Sequence, residues 1–270
     1  MARTRSPTKH SAEIMKTNTI APLKVRTGAA GLILVMLALI CGAGCQTKPA
    51  ADSGFLADSA RMSEQRERFP FDRVWINPGL KREKYQKLII SPVNTMYLMS
   101  ATGWKAANPA NSKLEQGAVE LARFTRDTFI DAVIHDPQRR FQYAGQPGPG
   151  TAVLEIAIVE LVPSKAALGA LGLVAPLAKA PAVAVGSKVA GGNPSVAIEA
   201  RLRDAVTGEV LAMMADREEP PFRPIDAKAV LWYGDAQDSI KTWARQFIEL
   251  ANTPPSQQVK DAAGFSLKPW

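Results

Sequence analysis

An α+β domain behind a short apolar leader is the fold class that the sequence predicts, and three observations predict it. Alternating apolar residues mark several strands, two longer stretches repeat their apolar residues at three- and four-residue steps, and the strands mostly follow one another in the chain. Consecutive strands imply antiparallel hairpins, and amphipathic helices need a sheet face to cover. The economical architecture is a two-layer sandwich in the order β-α-β-β-β-β-α, its mostly antiparallel sheet covered by two long helices, with an Ala/Gly-rich insertion.

The leader comes first in the chain. Gly28 to Gly44 is apolar or small throughout, Lys24 and Arg26 stand just before it, and the stretch is short for a spanning helix, so residues 1–44 read as a secretory signal. The basic region before it is long from Met1 but ordinary from Met15, and both stand as starts. Gly42-Ala43-Gly44-Cys45 resembles the bacterial lipobox, although the pattern prefers Leu or Val where Gly42 stands. That resemblance implies a lipid-modified Cys45, with an uncleaved signal anchor as the competing reading. Each buried CH₂ of an acyl chain adds about 0.8 kcal/mol, so several chains on one cysteine make a stable anchor. Gln46 is not an aspartate, which in the families this resembles favours sorting to the outer membrane.

Charge and cysteine usage agree with this placement. Six of the 33 basic residues and one of the 25 acidic ones precede Cys45, leaving 27 against 24 behind it, so the excess charge is no nucleic-acid footprint. The second cysteine, Cys41, lies within the signal, so the mature domain has neither a disulfide nor a free thiol nucleophile.

Residues 45–80 read as a tether and an extended strap, in which Phe55, Leu56, Phe69, Val74 and Trp75 pack without a sustained period. The domain proper is expected over 81–252. Its first strand is Lys87 to Val93, a β-branched run closed by a proline. From Ser112 to His135 the spacing of Leu114, Ala118, Leu121, Thr125, Phe129 and Ala132 predicts a helix, with Ser112 and Glu115 as a capping box and Pro137 as its stop. "RFQYA" alternates before the breaker "GQPGPG", and Thr151 to Val162 is a long strand that puts Glu155 and Glu160 on opposite faces as rim charges. Ser195 to Asp204 and "EVLAMMADRE" form a hairpin about Gly208. A second helix is expected from about Asp226 to Ala251, with Ala236, Ile240, Trp243, Phe247 and Leu250 as its apolar stripe, and 253–270 is a flexible tail.

"SGFLADSARM", "KLIISPV", "LEIAIVELVPS", "VAIEARLRDAVTGEVLAMMADRE" and the last helix together resemble an uncharacterised family of bacterial lipoproteins, domain of unknown function 3313, over about Gly54 to Ala251. The strand order is also similar to the small α+β domain of TolB-like and curli-secretion-like envelope proteins. This resemblance implies a periplasmic setting and no particular activity.

Function is less legible. The segment from Pro163 to Pro194 has no acid and carries only Lys165, Lys179 and Lys188. Close packing on the sheet, a surface for partners or self-association, and contact with the bilayer all remain open for it. Asp204, Asp216, Glu218 and Glu219 could gather near the hairpin ends, where charges are normally just solvated. No G-x-S-x-G, P-loop or H-E-x-x-H occurs, and the one histidine behind Cys45, His135, sits where it would face a helix C-terminus. The expectation is a non-enzymatic lipoprotein on the periplasmic face of the outer membrane, with no cofactor or metal. It would bind envelope components or its own copies; the alternative is a membrane-inserting oligomer that uses 163–194 in a secretion or pore role.

Overall fold

The structure, a computed structural model, describes residues 49–100, 104, 112–162, 194–219 and 233–259, apart from the side chains of 112, 113 and 235. Cys45, the stretch 163–193 and the tail from 260 onward lie outside the described residues. The described fold is mixed α+β. Its strands are β1 (Ser63–Glu64), β2 (Arg73–Ile76), β3 (Lys87–Ile90), β4 (Gln142–Tyr143), β5 (Thr151–Val162), β6 (Ser195–Asp204) and β7 (Val210–Glu218). Its helices are α1 (Met96–Ser100), α2 (Ser112–Ile134) and α3 (Gly234–Asn252).

The strands form one sheet in the order β1-β2-β7-β6-β5-β3-β4. From β1 to β5 every pairing is antiparallel, but β3 runs parallel to both β5 and β4. The sheet is thus mostly antiparallel, as expected, with a parallel edge that successive hairpins alone would not give. The long helix α2 lies in the chain between β3 and β4, and a crossover of that length returns the chain in the same direction. A correction concerns the strap. Residues 73–76 are a paired strand, with Val74 opposite Met214 and Ile76 opposite Ala212, so the strap covers an edge of β7 that would otherwise be open.

Apolar residues on one sheet face build the larger core. Leu88, Ile90, Leu154, Ile156, Ile158, Val196, Ile198 and Met214 meet Leu114, Leu121 and Phe129 of α2 and Ile240, Trp243 and Phe247 of α3. The stripe spacing that predicts the helices therefore matches what they bury. Helix α3 begins at Gly234, after a turn at Tyr233, rather than near Asp226, and residues 220–232 are outside the described set. On the opposite face a smaller cluster joins Phe55 and Leu56 of the strap to Ala157, Val159, Ala197 and Met213.

Two local features set the geometry. A bulge between Ile158 and Glu160 shifts the β5 register against β6. Gly150 enters β5 at φ +73°, where a Cβ would lie 3.1 Å from the Lys84 carbonyl, and its own carbonyl accepts the N–H groups of Gln86 and Lys87. The stretch 253–259, expected as part of the tail, runs back along the domain: Val259 is buried and its N–H donates to the Arg68 carbonyl.

Candidate binding cleft beside strand β2

The register that aligns Leu202, Ala212, Met214, Val74 and Ile76 on one pleat also makes a floor. Around it stand Phe69 and Leu80 from the strap, Phe141 before β4, and Phe247 and Leu250 from α3, enclosing a cavity of ≈ 590 Å³. That is an ordinary size for a small-molecule site.

Three guanidinium groups edge this apolar space. Arg82 donates to the carbonyls of Leu250, Ala251 and Thr253, which closes the α3 C-terminus where the helix dipole favours a cation. Arg140 donates to the Tyr85 carbonyl (2.8 Å) and the Arg82 carbonyl (2.7 Å) and lies 4.5 Å over the Phe141 ring. Arg68 donates to the Pro255 carbonyl at 3.2 Å and lies 5.3 Å over Phe69. Among the described residues none of the three forms an ion pair with a carboxylate. Burial, then the charge of Arg82, hold the Arg140 pKa below its ordinary value. Arg140 is aimed by the turn before it: Asp136 accepts the N–H groups of Gln138 and Arg140 and the Asn252 amide, while Arg139 takes φ 50°.

Among the described residues, no Asp, Glu, His or Cys lines the cleft. It offers apolar contact, cationic donors and the neutral polar groups of Ser63, Gln65, Asn77, Tyr85 and Gln257.

The acidic residues singled out from the sequence fall elsewhere. Asp204 closes the β6–β7 turn and accepts from Lys84 (2.8 Å), Tyr85 (2.9 Å) and the N–H groups of Val206 and Thr207. Asp216 is deep in the larger core, where it accepts from the Asp72 N–H (2.8 Å) and the Trp243 indole (2.6 Å). Five paired positions of the hairpin lie between the two, so they do not gather at one end. The bulge places Glu155 and Glu160 on the same strap-side face, contrary to the alternation. Each is held by arginine, Glu155 by Arg201 and Arg203 and Glu160 by Arg217. His135 is exposed and faces its own helix, 3.0 Å from the Asp131 carbonyl. Among the described residues no cluster of His, Cys, Asp and Glu could hold a metal, and no helix is long and apolar enough to cross a membrane. The arginines of the cleft escaped the sequence reading. Their one local signal is the Arg-Phe pairs, Arg68-Phe69 and Arg140-Phe141, in which cation and ring stack.

Fold and cleft together define a mixed-sheet α+β domain with an apolar, arginine-edged hollow. The chain belongs to the family of proteins of unknown function DUF3313, whose pattern matches residues 51–247, as the sequence resemblance implied. No curated protein matches it. Among solved structures it is similar to the PelC dodecamer from Paraburkholderia phytofirmans, at 13% identity and TM-score 0.33, over 64% of this chain and 94% of that one. It is also similar to protein XCC0632 from Xanthomonas campestris, of family DUF330, at 12% identity and TM-score 0.32, over 67% of this chain and 91% of that one.

Proposed function

We propose that the protein is an outer-membrane lipoprotein facing the periplasm, held by acyl chains on Cys45, whose domain binds an envelope component in the cleft beside β2 without transforming it. The observation that carries the binding half is the lining of the cleft, an apolar floor and wall edged by Arg68, Arg82 and Arg140. The leader and the lipobox-like Gly42-Ala43-Gly44-Cys45 support the anchoring half. Packing of α2 and α3 over one sheet face as a two-layer sandwich belongs to the same reading, with Phe247 and Leu250 of α3 walling the cleft. Anchoring would act by confinement, raising the domain's effective concentration toward partners at the membrane surface.

Fractionation of cells producing wild type and Cys45→Ala tests this reading. Wild type is expected in the outer membrane after a high-salt wash, with the variant lost from that fraction. Equal distribution of the two would overturn the anchor.

A further inference from the structure

Resting on the reading of the cleft as a binding site, we infer that its ligand is a single-chain amphiphile with an anionic headgroup, a carboxylate or a phosphate. The floor of Val74, Ile76, Ala212 and Met214 and the wall of Phe247 and Leu250 are suited to a flexible apolar chain, whose burial is favourable at about 25 cal/mol per Å². The edge asks for the opposite chemistry. Arg68 and Arg140 give donors to backbone carbonyls and form no ion pair among the described residues; the Glu83 and Asp136 carboxylates act on Arg140 from nearby and Arg82 acts against them, so cationic donors stand at the rim of low-dielectric surface with no carboxylate bonded to them. A planar guanidinium fork matches a carboxylate or phosphate, and an anion there offsets the cost of a half-buried cation. A wholly neutral lipid would leave that charge unmatched, and a small inorganic anion would leave the apolar floor empty.

The full chain, in discs of neutral phosphatidylcholine, is titrated with dansyl-aminoundecanoate, with empty discs subtracted. The bound probe is then displaced with laurate, dodecyl phosphate, dodecanol or inorganic phosphate. Laurate and dodecyl phosphate are expected to displace the probe, dodecanol about tenfold or more weakly, and inorganic phosphate not at all. Two variants accompany the wild type. Ala212→Trp projects bulk from a half-buried position into the cavity and is expected to abolish binding. Arg68→Gln changes an exposed side chain and is expected to lower the preference for anion over alcohol about tenfold or more. The fold is checked by circular dichroism for both.

Dodecanol matching laurate, or an unchanged preference in Arg68→Gln, would overturn the anionic headgroup while leaving the cleft a binding site. Displacement by inorganic phosphate alone would overturn the chain. Failure of the probe to bind, or equal binding by folded Ala212→Trp, would overturn the cleft itself.

Discussion

At the turn between β6 and β7, Asp204 is 5% exposed yet remains charged, because the Lys84 ammonium and then the N–H groups of Thr207 and Val206 hold its pKa well below the usual carboxylate range. Burial, then the hydrogen bond to Asp204, raise the neighbouring Tyr85 hydroxyl. A carboxyl group with a depressed folded pKa contributes stability that is present above its unfolded pKa, about 3.9, and is lost as pH falls below it. Asp204→Ala is expected to cost about 2 kcal/mol at neutral pH, through loss of the bonds to the turn and to Tyr85. Thermal unfolding of the variant should also lose part of the acid-side fall in stability. A variant as stable as wild type, with the same acid profile, would show that these bonds contribute nothing net.

The helices and the long strands were legible as elements because their periodicity is long enough to be read. Leu114, Ala118, Leu121, Thr125 and Phe129 all lie in the buried stripe that spacing alone indicates. Strand β2 was not legible. Arg73-Val74-Trp75-Ile76 is too short to show a period, and what makes it a strand is the distant edge of β7. The β5 bulge was equally hidden, since one extra residue reverses the facing of Glu160 without any local signature. The cleft inherits the first problem, for part of its floor is β2 and its cations Arg68 and Arg140 sit outside the regular helices and strands. The strap itself is secured at its start, where the Ser53 hydroxyl (2.7 Å) and N–H (3.1 Å) donate to buried Glu199 and Asp52 pairs with Arg73 at 2.6 Å. Ser53→Ala is expected to cost about 1 to 3 kcal/mol, because it removes a hydroxyl donor from a buried carboxylate. Amide exchange around residues 50–56 should accelerate while that in α2 and α3 does not; uniform acceleration, or none, would show that Ser53 does not act as a local latch.

Across the whole molecule, acidity acts in two directions. Asp216 lies in the core, and burial first, then the nearby Asp72 charge, raise its pKa well above the usual carboxylate value. Stability from its protonated form is full below about pH 3.9 and is lost as pH rises through its elevated folded value. Asp204 and Asp52, whose pKa values are lowered, act in the opposite sense below about pH 4. From these groups the melting temperature of wild type is therefore expected to peak near about pH 4, where the contributions of Asp204 and Asp52 are in place and that of protonated Asp216 begins to be lost. Asp216→Asn should flatten the descent above that maximum, and an unaltered descent would assign it to other groups. The proposed anchor at Cys45 would set a length limit on the tether. Asp52, docked on Arg73, is seven residues after Cys45, and seven extended residues span at most about 25 Å, so acylation of Cys45 would keep the strap-side edge close to the bilayer. The most direct test of that central claim is metabolic labelling with a palmitate analogue of wild type and Cys45→Ala. Label on wild type alone is the predicted result; label on neither, or equally on both, would contradict anchoring through Cys45.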